Sequence, residues 1–461
     1  MDEYLDRPAH VISDALASGD LTATALMQAT LDRIAARNPG LNAIVSLRDA
    51  DALMADAAAA DASPRRGWLH GMPLAVKDLA NVAGLPTTMG SPALRDNVAK
   101  TSDIMVRRLQ DAGAIVIGKT NTPEFGLGSH TFNPVFGATQ NAIMAGRTAG
   151  GSSGGAAVAL AAGMVAVADG SDMMGSLRNP AGWNGVYGMR PTWGRVPSEP
   201  LGEMMLHPLS TNGPMARHPR DLALLLDTMA GPDPRQPFGL DHVATAPGID
   251  ADLTDRRIGW LGDWGGAYAM DDGVLAHSAA QVARFADLGC VVEDAPAPFS
   301  AAALWESWTT LRSFAVAASL GPLYDQPAMR GALKDTAIWE IERGRALTGG
   351  QVQRASLIRS DWFRAAARLF DRYDALVLPT AQCWPFPIAW AWPREIAGHA
   401  MDSYHRWMEV VVPASLIGLP AAAVPLPLSH GRPMGLQLMG RSRDDVGVLQ
   451  LAAGWHRINA A

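Results

Sequence analysis

Cysteine is nearly absent: Cys290 and Cys383 are the only two in 461 residues. The two could pair, but two thiols build no disulfide framework, and their spacing suggests no metal site. A reducing cytoplasm is the simplest expectation. Basic runs are absent as well. Lys and Arg number 38 against 45 Asp and Glu, a net charge of −7, which argues against nucleic acid as the main partner. None of the 11 histidines falls into a trusted ligand spacing, so no metal or organic cofactor is expected. The N-terminal MDEYLDRP has neither a basic nor an apolar segment, so no secretory signal is expected. Unbroken apolar runs of membrane length are missing too. The nearest, 410–428, is cut by Pro413, Pro420, Pro425 and Pro427 and loosened by Gly418. A lipid-exposed backbone could not satisfy itself across so many breaks. The segment reads as a buried helix or turn followed by a short buried strand, and no membrane partner is expected.

What is present is globular. Hydrophobic residues make up 48% and charged residues 18%, which excludes a disordered chain. The first 60 or so residues read as helical. Thr22 can cap a helix carrying Leu26, Leu31 and Ile34, ended by Pro39-Gly40, and an Ala-rich helix follows over about 48–62. Pro73-Leu74-Ala75-Val76 reads as a strand ending at Lys77. A helix over about 102–112 leads through Gly113 into Ala114-Ile115-Val116-Ile117, a run typical of a strand buried on both faces. Ala375 to Leu378 is another such run, and 257–293 reads as strand, helix, strand. Helix, tight glycine and buried strand are the grammar of an α/β core, and one large α/β domain is the best reading. From about 298 to 399 the pattern is irregular and holds half of the 14 tryptophans.

Two motifs mislead. GAIVIGKT at 113–120 matches the phosphate-binding loop letter for letter. That loop must follow a strand, whereas here its inner residues are themselves strand residues, and Lys119 reads as a residue just past a strand end. GGSSG at 150–154 matches the nucleophile elbow, which needs a hydrophobic strand immediately before it, and 144–149 is not one. The informative feature is a pair of small-residue turns 24 residues apart, carrying Ser152 and Ser176. Gly150, Gly151, Gly154 and Gly155 around the first let the backbone approach a ligand closely. The second is expected to run from Gly170-Ser171 to Gly175-Ser176. An Ala-rich helix should lie between them. Lys77, at the end of a buried strand, faces desolvation that lowers its pKa and makes it a candidate base, although a lone lysine there is more often a snorkelling surface residue.

Taken together these segments resemble the amidase signature family of serine hydrolases. The resemblance covers GMPLAVKD at 71–78, GKTNTPEFG at 118–126, GATQN at 137–141 and GGSSGG at 150–155. It continues through GSDMMGSLRNPAG at 170–182, YGMRPTWGRVP at 187–197 and GLQLMGR at 435–441. It implies a single domain with a central mixed β-sheet covered by helices on both faces, its motifs in a core of about 67–200 and a substrate-dependent region at about 298–400. It also implies hydrolysis of an amide by a triad of Lys77 as base, Ser152 as bridging serine after a cis peptide bond, and Ser176 as nucleophile. A serine hydroxyl is a poor nucleophile until a base takes its proton, and Lys77 acting through Ser152 would supply one. The N–H groups of Met173, Met174, Gly175 and Ser176 would hold the oxyanion. Gly126, Leu127 and Gly128 match the loop lining the family's substrate pocket, and Ser153 and Arg178 join the substrate-binding candidates. Ser153 and Asp172 are also expected to support the site. Arg178 should either pair with a carboxylate such as Asp172 or meet a substrate carboxylate.

The sequence departs from the family at Met173-Met174, where most members carry Thr-Gly. Three readings stand open: the backbone there has φ < 0 and the side chains simply pack, Met174 narrows an acyl pocket, or the oxyanion hole is damaged. One or two of the seven tryptophans Trp305, Trp308, Trp339, Trp362, Trp384, Trp390 and Trp392 are expected to wall the pocket, those near Cys383 and Trp384 being favoured, which would imply an apolar or aryl amide. Esters and carbamates share the acyl-transfer chemistry. The alternatives are an A-type subunit of the tRNA-dependent amidotransferase and a catalytically impaired amide-binding protein. A homodimer would be ordinary.

Overall fold

The apolar runs pair into two sheets in a computed structural model that describes residues 2–206 and 208–459. The smaller sheet holds β1 (Ile44–Val45), β2 (Pro73–Lys77) and β3 (Ile115–Thr120) in the order β1-β3-β2. β2 and β3 are parallel, with the helix Ile104–Asp111 in the connection between them. Every residue of both strands is buried, which is why their first parts, 73–76 and 115–117, read as continuous apolar runs and not as alternation.

The larger sheet has eight strands: β4 (Val167–Asp172), β5 (Tyr187–Arg190), β6 (Thr211–Ala216), β7 (Arg257–Trp260), β8 (Val291–Asp294), β9 (Ala375–Pro379), β10 (Ala421–Pro425) and β11 (Gly435–Gly440). Their order is β8-β7-β9-β11-β10-β5-β6-β4. The sheet is mixed, with β7 parallel to β8 and β9 and the other pairs antiparallel. Its edge strand β4 packs beside β2, where the Lys77 backbone N–H donates to Asp169 Oδ1 at 3.0 Å. The strands carrying Lys77 and Asp172 therefore meet where the two sheets adjoin.

Alternation along the strands separates two cores. Leu74 and Val76 of β2 and Val116 of β3 join one hydrophobic cluster, while Ala75, Ile115 and Ile117 join another. Side chains of a strand point to opposite faces, so each face has its own packed layer of helices. Pro219–Met229 and Asp445–Asn459 contribute to the first layer and Gly154–Ala161 to the second. The segment 410–428 is a buried one: a helix over Val412–Ile417, with αL Gly418 after it, leads into β10. Among the described residues no helix is long and apolar enough to cross a membrane. Cys290 and Cys383 are both buried and unpaired.

Four local expectations are corrected. The helix capped by Thr22, Ala23–Leu41, passes through Pro39-Gly40 and ends at Leu41, after which Asn42 takes the left-handed conformation (φ 51°). Lys119 lies inside β3 and not beyond it, fully buried, with its amine on Ala80 O and Thr87 Oγ1. Gly170-Ser171 is part of β4, because pairing with Asn212 and Gly213 of β6 outweighs the weak strand preference of small residues. The segment read as irregular holds three long helices, Ala301–Tyr324, Asp335–Arg345 and Gly349–Leu369, and the short helix Pro327–Arg330. The first of these packs against several neighbours at once, so no single apolar stripe marks it in the sequence.

Candidate active site

Lys77 ends β2 with its side chain only 1% exposed. Its amine donates to Ser152 Oγ at 2.7 Å, Ser153 Oγ at 2.9 Å and Ser171 Oγ at 3.0 Å, with Ser171 O at 3.4 Å. These partners are neutral hydroxyls and a carbonyl, so no carboxylate contact compensates the loss of water. Burial pushes the amine down to about 7, against the opposing pull of Asp169 and Asp172. Asp169, beneath the Lys77 N–H, is itself pushed up to about 6 by burial, an effect that this hydrogen bond and the charges of Lys119 and Lys77 only partly reverse.

Ser152 and Ser153 sit on the glycine-rich turn between Thr148 and the helix Gly154–Ala161. The Gly151–Ser152 peptide bond is cis. Thr131 Oγ1 donates to Gly150 O at 2.8 Å and Ser129 Oγ donates to Gly151 O at 2.5 Å, pinning the turn from outside. The Ser153 N–H donates to Ser176 O at 3.3 Å, which brings the two serine turns together. Ser176 is 6% exposed, and its hydroxyl has no protein hydrogen-bond partner among the described residues.

The turn after β4 is organised by Asp172. Its Oδ1 accepts from the Gly175 N–H at 2.9 Å and its Oδ2 from the Leu177 N–H at 3.1 Å. Burial alone would raise this carboxyl, but Arg178 and Arg190 outweigh it and hold the group well below the usual carboxylate range. Gly175 takes φ 79°, and a Cβ there would lie 2.9 Å from the Val411 side chain. Neither Met173 nor Met174 takes a positive φ, so the turn admits side chains at both positions. Of the four backbone donors expected to face an oxyanion, Gly175 is withdrawn because Asp172 already holds its N–H. Those of Met173, Met174 and Ser176 have no protein partner among the described residues.

Arg178 as a substrate ligand is likewise corrected. Its Nε and one Nη donate to the two Asp172 oxygens at 3.0 and 3.1 Å. The remaining hydrogens go to Val411 O, Gln437 Oε1 and Ser415 Oγ at 3.1, 2.5 and 2.6 Å. A guanidinium has five N–H groups, and all five are used. Arg178→Ala should therefore cost about 3–5 kcal/mol of stability, read as a lower denaturation midpoint, because it removes the two-bonded partner of a buried carboxylate, leaving it Arg190 alone, and orphans Val411 O, Gln437 and Ser415. Arg178→Lys should recover little of this, since one amine cannot serve five acceptors. An unchanged midpoint with a raised KM confined to carboxylate-bearing amides would instead make Arg178 a substrate ligand.

The 126–128 loop lies against the same place. A Cβ on Gly126 would sit 3.4 Å from Ser152 Oγ, and one on Gly128 would sit 3.6 Å from the Tyr404 ring. Leu127 packs with Val316, Leu333 and Tyr404, and its carbonyl accepts from Lys334 Nζ at 2.7 Å. Ser153 is moved from the substrate side to the Lys77 cradle, where its hydroxyl is fully buried. The tryptophan at the site is Trp308, whose Nε1 donates to Met174 Sδ at 3.2 Å. Trp384 instead packs under Arg432, 4.2 Å from its ring centroid, and donates to Asp272 O at 3.0 Å. Sequence reasoning missed Ser171, Asp169, Arg190 and Gln437. The first three lie within or one residue beyond the quoted motifs, and Gln437 is in GLQLMGR, so position in a motif was their only signal. Among the described residues no cluster of three or more His, Cys, Asp or Glu could hold a metal.

A buried amine poised near neutrality, hydroxyls on it, and unpartnered N–H groups on the adjoining turn can move protons and hold negative charge. The comparisons agree with this chemistry. The Amidase family matches over residues 25–449. An acylamidase of Rhodococcus erythropolis is 35% identical over 454 residues, covering 96% of this chain and 94% of the relative. The A-type subunit of a glutamyl-tRNA(Gln) amidotransferase from Chloroflexus aurantiacus is 33% identical over 474 residues, covering 96% and 95%. The crystal structure of a bacterial aryl acylamidase superposes with a TM-score of 0.92 at 29% identity, covering 98% of this chain and 96% of that one. The chain belongs to the amidase signature family and is an amide C–N hydrolase.

Proposed function

We propose that the protein hydrolyses uncharged apolar or aryl amides through an acyl-enzyme on Ser176. The observation that carries this reading is the 2.7 Å contact between the buried Lys77 amine and Ser152 Oγ. Neutral Lys77 takes the Ser152 proton while Ser152 takes that of Ser176. Ser176 Oγ attacks the amide carbonyl, and the N–H groups of Met173, Met174 and Ser176 receive the oxyanion. The proton returns through Ser152 to the leaving amine, the C–N bond breaks, and water deacylates Ser176 by the same route. Esters and carbamates are substrates of the same relay, since only the leaving group changes.

The apolar preference is supported by the side chains around the turn, Met173, Met174, Leu127 and Trp308. It is supported too by the engagement of the nearby cations. Arg178 is fully used, and Arg312 is paired with Glu340 at 2.8 Å. Steady-state kinetics on a panel of acetamide, longer acyl amides, anilides, a nitrophenyl ester and an aryl carbamate test this. At least one anilide or long acyl amide should exceed acetamide in kcat/KM by about tenfold or more. Acetamide as the preferred substrate would overturn the apolar reading. A cytoplasmic location fits the two unpaired thiols.

The likeness to the amidotransferase A-type subunit favours a second reading, an amide-donating subunit that uses glutamine. The turn carries the apolar Met173 and Met174, with buried Trp308 behind Met174, and these side chains do not favour a polar glutamine. Glutamine turnover together with co-purifying subunits would select this reading over the first.

A further inference from the structure

The two methionines that distinguish this turn are both held by one helix. Trp308 and Arg312 lie one turn apart on the helix Ala301–Tyr324 and therefore share a face. Trp308 Nε1 donates to Met174 Sδ at 3.2 Å, and Arg312 donates from one Nη to Met173 Sδ at 3.3 Å. The helical side of these contacts is rigid. Trp308 is fully buried and Arg312 only 2% exposed. The guanidinium is aimed by Glu340, 2.8 Å from its Nε, and by the Tyr404 hydroxyl, 2.7 Å from its other Nη. Tyr404 donates in turn to Glu340 at 2.9 Å.

A methionine has three rotatable side-chain bonds and ordinarily adapts to its surroundings. Two in succession would leave the turn loose at the residues whose own N–H groups have no protein partner among the described residues. We propose that Trp308 and Arg312 are positioning residues for the oxyanion turn, fixing the Met174 and Met173 backbone donors by holding their sulfurs. This rests on reading that turn as the oxyanion hole. It couples a tryptophan-bearing helix outside the catalytic motifs to the transition state, and gives the methionines a role other than filling space. Sulfur is a weak acceptor, so each contact acts as a restraint on geometry and its loss is felt where donor placement matters most.

The test is a double-mutant cycle of Trp308→Phe and Met174→Leu, read by kcat, KM and the Ki of an arylboronic acid, which forms a reversible tetrahedral adduct on a nucleophilic serine. Each single variant should lower kcat by about three- to tenfold, a loss of about 0.6–1.4 kcal/mol. KM should stay within about twofold, because the lost interaction is made only in the transition state. The boronate Ki should weaken by the same factor as kcat, and the double variant should be no worse than the poorer single one. Arg312→Lys should lower kcat in the same way through Met173. Losses that add, a change confined to KM, or wild-type kcat would overturn the proposal. Met174→Leu conserves volume and keeps the test readable should Trp308→Phe fold poorly. An inert Ser176→Ala alongside unimpaired Met174→Leu and Trp308→Phe would sink this inference alone, whereas an active Ser176→Ala would sink the reading of the site.

Discussion

Ser176→Ala is expected to lower kcat by about four to six orders of magnitude, with KM for an anilide changed by no more than a few-fold. Every other part of the site depends on this hydroxyl. Lys77 and Ser152 have no acyl group to form without it, and the donors at Met173 and Met174 have no tetrahedral oxygen to hold. The variant should still bind substrate, because the apolar side chains around the turn are untouched. The residual rate over water should come from the oxyanion donors and from substrate positioning. Its fold should be unchanged, since the Ser176 hydroxyl has no protein partner to lose among the described residues and its carbonyl still accepts from Ser153. Steady-state rates with a melting curve on the same preparation check both halves. Retained turnover in a well-folded Ser176→Ala would remove the serine mechanism.

Lys77→Ala should lower kcat by about three to five orders of magnitude and should also abolish the acid limb of the pH profile. The relay needs the neutral amine, and burial brings Lys77 down to about 7. Above that pH the amine is unprotonated and kcat/KM should lie on a plateau. Below it, activity should fall by about tenfold per pH unit as the amine takes up a proton. Asp169, pushed up to about 6, is bonded to the Lys77 backbone N–H and not to its amine, so the step near 7 is the one that Lys77→Ala removes. The same shift acts on stability. Between about 7 and 10.5 the unfolded chain holds a proton that folded Lys77 does not, so this group's contribution to stability rises with pH across that window. An activity optimum well below neutrality would contradict the assignment of Lys77 as base.

The elements that were legible in the sequence are those whose reason is local. β2, β3 and β9 are buried on both faces, and 73–76, 115–117 and 375–378 within them read as unbroken apolar runs. The cap of Thr22 on Ala25 N–H, at 3.1 Å, could be named from residue type and position. Lys77, Ser152 and Ser176 could be named because they stand in fixed motifs, and the structure brings Lys77 to Ser152 as expected of neighbours in a relay. What escaped depends on contacts far apart in the chain. The four partner residues of Arg178 include Val411, Ser415 and Gln437, more than 200 residues away, and nothing near Arg178 announces them. The engagement of the Gly175 N–H by Asp172 is a matter of turn geometry that residue types do not specify. Of the seven tryptophans in the 298–399 stretch, the sequence favours Trp384, yet it is Trp308, on the helix Ala301–Tyr324, whose ring meets the turn, a long-range contact that position in the stretch does not announce. The helix Ala301–Tyr324 was missed for a related reason. Its environment is apolar on several sides, so the periodicity that marks a surface helix is absent.

Trapping of the acyl-enzyme would show directly whether Ser176 is the nucleophile. The protein would be mixed with an excess of a nitrophenyl ester, quenched in acid during turnover, and digested for peptide mass spectrometry. A single acyl adduct is expected on Ser176, absent from Ser176→Ala and formed far more slowly by Lys77→Ala at neutral pH. An adduct on Ser152 or elsewhere, or steady amide turnover with no covalent adduct on any serine, would contradict the assignment of Ser176 as nucleophile.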